Sequence, residues 1–150
     1  EDLGRPALRQ LVTQQGWMIA VQAVVPDEIE MIRDKIIDWV DQKGVALVLT
    51  TGGTGISSRD VTPEATRLVL EKELPGISQI ILRRSLEKTK LAALSRAAAG
   101  TRKKSLIINL PGNPEGAKEC LGFVLEFIPH ALDVLAGKDH HEKEFTHDRA

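Results

Sequence analysis

Apolar positions along the chain fall at two spacings, and the two alternate in blocks. Ala7, Leu8, Leu11 and Val12 repeat at helical spacing within residues 6–15, and Gly16 closes that block. Residues 17–25 are apolar and rich in β-branched side chains, which predicts a strand ended by Pro26 and Asp27. Ile29, Ile32, Ile36 and Val40 predict a helix over 28–42, stopped by Gly44. Residues 45–50 are almost continuously apolar and predict a strand buried on both faces. Thr62 followed by Pro63 predicts a helix with Thr62 as its N-cap, Ala65, Leu68 and Val69 on its inner face, and Pro75-Gly76 as its stop. Residues 77–84 fit a helix better than a strand, and residues 86–100 are Ala-rich with no clean period. Residues 105–110 predict a second buried strand. A helix follows over 115–127, and a last one after Pro129 carries Ala131, Leu132, Val134 and Leu135 to Gly137.

Strands alternating with helices of this length predict an α/β fold: a three-layer, doubly wound, mostly parallel sheet with helices on both faces. Ligands of such sheets sit beyond the carboxyl ends of the strands. Three such ends carry polar or glycine-bearing turns, at residues 25–27, 50–60 and 110–116.

Composition narrows the function. The 150 residues are one domain's length. With 20 Lys plus Arg against 21 Asp plus Glu, the chain lacks the basic excess of a nucleic-acid surface. Tyrosine is absent and aromatics are 3% of the chain, so base-stacking platforms are nearly excluded. The single cysteine, Cys120, cannot form an internal disulfide and fits a reducing, cytoplasmic setting. No apolar run approaches the length of a membrane span.

The loop Gly52-Gly53-Thr54-Gly55 lets backbone amides approach an anion closely. Thr54, Ser57, Ser58 and Arg59 add donors and charge. It lacks the Lys-Ser/Thr of a P-loop and the third glycine of the dinucleotide fingerprint, and by composition a plain tight turn is as good a reading. Asp27, with Glu30 three residues on, reads locally as an N-cap with a capping-box partner. Asp60 is a turn residue or an Arg59 partner, and with Asp27 it would make a carboxylate pair for Mg²⁺. The turn at 109–116 offers Asn109, Gly112 and a helix start, or else is an ordinary connector. Ser85, Ser95 and Arg96 read as surface residues. His140, His141 and His147 crowd a charged tail that reads as solvated, and Cys120 reads as a buried inert thiol.

Taken together, residues 49–55 (Leu-Thr-Thr-Gly-Gly-Thr-Gly) and 59–66 (Arg-Asp-Val-Thr-Pro-Glu-Ala-Thr) resemble the molybdopterin adenylyltransferases of molybdenum-cofactor synthesis. That family includes the bacterial enzymes, the plant G domain and the gephyrin G domain. Residues 25–28, 94–96 with 99–100, and 106–114 agree in order and spacing, so the resemblance covers residues 1–135. Gephyrin-like or plant-like members look closer than bacterial ones. The resemblance implies the molybdopterin-binding fold, commonly a homotrimer, and transfer of AMP from Mg-ATP to the terminal phosphate of molybdopterin with release of pyrophosphate. It implies that Asp27 and Asp60 are the two essential carboxylates and hold Mg²⁺, so that Asp27 caps its helix and still presents an oxygen to the metal. Thr54, Ser85, Ser95 and Asn109 would line the pterin and nucleotide site. Gly52, Gly53 and Gly55 of the first loop and Gly112 of the second turn would let phosphates approach, with Arg59 offsetting their charge, and Pro111 and Asn113 would be substrate-binding.

On this reading residues 1–137 are the domain. Residues 138–150 are a charged mobile tail or the start of a linker, and the resemblance implies a molybdate-insertion domain as partner, fused or in trans. Family members begin with an apolar strand and a Ser-Asp turn ahead of the segment matching Glu1-Asp2. Without that strand two neighbouring strands lack a ladder partner, so the expectation is either further residues upstream or an impaired form. The competing expectation is a non-catalytic molybdopterin-binding module or a trimerising scaffold domain of a larger gephyrin-like protein.

Overall fold

The computed structural model describes residues 4–138; the His-bearing tail expectation, from residue 139 on, lies outside the described residues, as do Glu1, Asp2 and Leu3. Helix α1 (Gly4–Gln14) forms on the predicted stripe, buries Leu8 and packs Leu11 and Val12 against the core. Residues 17–25 lead to α2 (Ile29–Ile37), which continues as a π-helical turn, Asp38–Gln42. Then come β1 (Leu47–Thr51), α3 (Thr62–Val69), β2 (Lys72–Glu73), α4 (Pro75–Leu86) and a 3₁₀ turn, Lys90–Leu94. The chain continues with β3 (Ala99–Arg102), β4 (Ser105–Leu110), α5 (Pro114–Val124), a second 3₁₀ turn (Leu125–Phe127) and α6 (Ile128–Leu135).

The four strands lie in the order β1-β4-β3-β2. Strand β4 is central and fully buried, and its alternate side chains build two cores. Leu106, Ile108 and Leu110 face α1, α4, α5 and α6, where they meet Ile77, Ile81, Ala117, Leu121 and Ile128. Ile107 faces α2 and α3, where it meets Ile32, Ile36, Val40, Ala65 and Val69. Each fully buried Leu or Ile contributes about 1.5–3 kcal/mol over an exposed one. The α/β class with helices on both faces is as predicted.

The sheet, however, is mixed rather than mostly parallel: β1 pairs parallel with β4, while β3 pairs antiparallel with both β4 and β2. The reason is the short turn at Lys103-Lys104, which can only connect antiparallel neighbours. Lys103 takes a positive φ of 51° there, and its amide donates to Glu71 at 2.7 Å. Arg102 closes the same end of the sheet, with a two-pronged ion pair to Asp41 at 3.0 and 2.9 Å and a bond to the Val69 carbonyl at 3.0 Å. That tie joins the π turn, α3 and β3.

Other expectations fail locally. Leu68 is exposed and Thr66 takes its inward place on α3. Val61, not Thr62, stands at the N-cap position, without a side-chain bond. Pro75 opens α4 rather than stopping α3, and β2 lies between them. Residues 17–25 are not a ladder strand. They keep a strand's alternation, with Trp17, Ile19 and Val21 partly buried and Met18, Ala20 and Gln22 exposed. Among the described residues none of their backbone groups pairs with another strand. A cavity of about 730 Å³ separates them from the free edge of β1. The same cavity explains why Val48 is the one buried residue of β1, where burial on both faces was predicted.

Candidate functional site

The parallel pair decides where polar chemistry gathers. With Thr50 in register with Asn109 and Thr51 with Leu110, both strands end on one edge, and both following loops leave from it. The Gly52 amide donates to the Leu110 carbonyl at 2.9 Å, so the loops start in contact. A Cβ on Gly112 would stand 3.2 Å from the Gly52 Cα, tighter than side chains normally allow. Gly53 is constrained twice: its φ is +68°, and a Cβ there would fall onto the Thr62 hydroxyl. Its carbonyl accepts from the Thr62 amide at 3.1 Å, which fixes the start of α3 beneath the loop.

Asp60 ends this loop in a closed turn. Its amide donates to the Ser57 carbonyl at 3.0 Å, and its Oδ2 accepts from the Ser57 amide at 3.0 Å. Arg59, exposed, meets Asp27 at 3.5 Å, which ties the residue 25–27 turn to the loop that ends at Asp60. Asp27 does not cap α2; Glu28 occupies that position, without a side-chain bond, and the Asp27 carboxylate faces the Arg59 loop. The cap and capping-box reading therefore fails, because the helix starts one residue later than a cap at Asp27 requires.

Thr54 is buried, and its carbonyl accepts from the Arg96 amide at 2.8 Å. Ser95, exposed, is thereby held beside the loop, its hydroxyl accepting from the Ala97 amide at 3.3 Å. Asn109 is 1% exposed and its amide group bonds within the protein. Its Oδ1 accepts from the Ala98 amide at 3.0 Å, and its Nδ2 donates to the Thr50 and Thr66 hydroxyls at 2.8 and 3.0 Å. Asn113 caps α5, accepting from the Gly116 amide at 2.9 Å, and Pro111 lies beside Gly116, where a Cβ would stand 3.4 Å from its ring. Ser85 faces elsewhere: on α4 it lies 3.5 Å from Cys120 of α5. Burial pushes the Cys120 thiol above its ordinary pKa, against the Ser85 contact, which keeps it a poor nucleophile.

Sequence reasoning missed Arg96 and Glu64. Arg96 reaches the carbonyls of Gly55 and Asp60 at 2.7 and 2.8 Å and forms an ion pair with Glu64. That guanidinium holds the Glu64 carboxyl below the usual carboxylate range, against the effect of partial burial. An Arg in a stretch without a period, and a Glu in a first helical turn, carry no local signal of such a pairing.

Two carboxylates, consecutive left-handed glycines and a guanidinium on one edge suit a phosphate-bearing ligand. The match to the family described as "Probable molybdopterin binding domain" spans residues 1–130. This chain belongs to that family. The chain is 42% identical over 136 residues to the molybdenum cofactor synthesis protein cinnamon of Drosophila melanogaster, covering 90% of this chain and 23% of that protein. It is 41% identical over 139 residues to the molybdopterin adenylyltransferase of Helicobacter pylori strain 26695, covering 91% and 79%. The molybdopterin biosynthesis enzyme MoaB of Thermus thermophilus superposes with a TM-score of 0.86 at 45% identity, over 92% of this chain and 87% of that one. These identities do not separate the bacterial from the longer eukaryotic relatives. The domain thus spans most of a bacterial relative but under a quarter of cinnamon.

Among the described residues no cluster of three or more Asp, Glu, His or Cys could hold a metal alone. Carboxylates of the kind Asp27 and Asp60 supply are the donor type Mg²⁺ takes, one or two at a time, with water and substrate phosphate in its remaining positions. Oδ1 of Asp60 has no hydrogen-bond partner among the described residues. No helix of the described residues is long and apolar enough to cross a membrane.

Proposed function

We propose that the domain, residues 1–137, transfers the adenylyl group of ATP to the terminal phosphate of molybdopterin, giving adenylated molybdopterin and pyrophosphate. The observation that carries this is the meeting of two glycine turns with Asp27, Arg59 and Asp60 at one edge of the parallel pair. Relatives named molybdopterin adenylyltransferase, over most of this chain, support it. A terminal phosphate oxygen attacks the α-phosphorus; the new P–O bond forms as the bond to the β-phosphate oxygen breaks and pyrophosphate leaves with its electron pair. The acceptor is already an anionic nucleophile, so the protein needs no strong base. Its task is to bring two anions together. Backbone amides at Gly53 and Gly55 approach phosphate oxygens, the bare Gly52 leaves room for that approach, and Arg59 offsets their charge; Asp27 and Asp60 would hold Mg²⁺, which would supply charge stabilisation for the leaving pyrophosphate.

Incubation with Mg-ATP and molybdopterin, read by chromatography of the pterin, should give the adenylated product. Asp60→Asn, which keeps the Ser57 contact, should cut turnover by about 10²-fold or more while the protein stays folded. Pterin binding without any adenylated product would overturn the reading. It would favour the second one, a pterin-binding module without turnover, because residues 17–25, which lead to Asp27, lie outside the ladder.

A further inference from the structure

One side chain connects nearly everything on the first loop. The Arg96 amide donates to the Thr54 carbonyl at 2.8 Å. Its Nε donates to the Gly55 carbonyl at 2.7 Å and its Nη2 to the Asp60 carbonyl at 2.8 Å, while Nη1 pairs with Glu64 in the first turn of α3. Between those two carbonyls lie Ile56, Ser57, Ser58 and Arg59, all exposed, whose own contacts are the Ser57–Asp60 turn at the tip and the Arg59–Asp27 pair. The loop is therefore closed across its neck by one guanidinium, whose planar fork suits three separate acceptors at fixed angles. Glu64 balances the charge, so the neck adds little field of its own to an anion site next to it.

We propose that Arg96 is a positioning residue for adenylyl transfer: by pinning both ends of the loop over residues 55–60 it sets the direction of the Asp60 carboxylate. This rests on the functional reading above. Arg96 touches no reacting atom; it acts through Asp60. A lysine cannot replace it, since one ammonium on a flexible stem does not span two carbonyls and a carboxylate with set geometry.

The test uses the whole chain. Arg96→Ala and Arg96→Lys are expected to lower kcat/KM for Mg-ATP about 10–100-fold, the usual effect of losing a residue that orients a metal-side ligand. Both should raise the Mg²⁺ concentration needed for half-maximal rate. In the Asp60→Asn background Arg96→Ala should cost less than about threefold further, because the residue it positions is already gone. Without substrate or metal, amide hydrogen exchange over residues 55–60 should speed up at least about tenfold in Arg96→Ala, while β4 keeps its protection. Glu64→Gln keeps an acceptor for the guanidinium and secures the test if Arg96→Ala fails to fold; it should show the same Mg²⁺ shift in weaker form. Unchanged loop exchange in Arg96→Ala, full recovery in Arg96→Lys, or equal losses in the parent and Asp60→Asn backgrounds would each overturn the proposal. If the parent chain makes no adenylated pterin, the functional reading fails, and the exchange measurement still decides whether Arg96 holds the loop.

Discussion

Replacing Asn109 by alanine removes three hydrogen bonds from a side chain that is 1% exposed. The Ala98 amide, itself buried, loses its only side-chain acceptor, and an unpaired buried donor costs about 1–3 kcal/mol. The two threonine hydroxyls each lose a bond with a net contribution of about 0.5–1.5 kcal/mol, but both can rotate toward other acceptors. The expected loss is therefore about 2–4 kcal/mol rather than the full sum. In a domain of this size each kcal/mol moves Tm by about 2–4 °C, so Asn109→Ala should melt roughly 5–15 °C lower. Thr66→Val, which removes one acceptor and keeps the volume, should cost about 1 kcal/mol. Urea unfolding and calorimetry of the two variants measure both. An Asn109→Ala loss below about 0.5 kcal/mol, or one no larger than that of Thr66→Val, would show that this network does not hold β1, β4, α3 and Ala98 together as described.

Two further outcomes are expected. Gly53→Ala combines left-handed strain of about 1–2 kcal/mol with a clash on Thr62, whereas Gly16→Ala, at φ +82° in open space, carries only the strain; in parallel melts Gly53→Ala should be the more damaging by a clear margin, and equal losses would contradict the packing. Arg102, aided by Lys103, holds the Asp41 carboxyl below its ordinary pKa against the opposing effect of desolvation. Its contribution is thus fully present above the unfolded carboxylate value and is lost as pH falls through the lowered folded value. Urea midpoints of the parent and Asp41→Asn should differ most at neutral pH and converge below about pH 4, and a constant gap across that range would refute the pairing.

How far the sequence could be read depended on whether a signal was local. Strand β4 was legible because six consecutive buried residues leave no alternative, and Gly16 and Gly44 marked their turns through a conformation other residues avoid. Strand β3, Ala-Gly-Thr-Arg, was hidden because small residues carry no strand preference; Gly100 is there because β2 passes too close for a Cβ. Residues 17–25 had the composition of a strand and lacked the neighbour that makes one. Within the site, the glycines and both aspartates were visible as residue types. The Arg96–Glu64 clamp was not, since it joins segments 32 residues apart that only the folded sheet brings together.

The parallel register of Thr50 with Asn109 also bears on the order in which the chain folds. Strands β3 and β4 meet through a turn of two residues and can pair early, as can α5 with α6. Joining β1 to β4 instead closes a separation of 59 residues, a contact whose entropy cost must be met before any bond forms. Both glycine turns touch only after that closure, through Gly52 and Leu110. In refolding, native secondary structure should therefore appear before the two turns meet. A ligand that bridges the two turns gains little hold on the early intermediates and acts chiefly as a brake on unfolding.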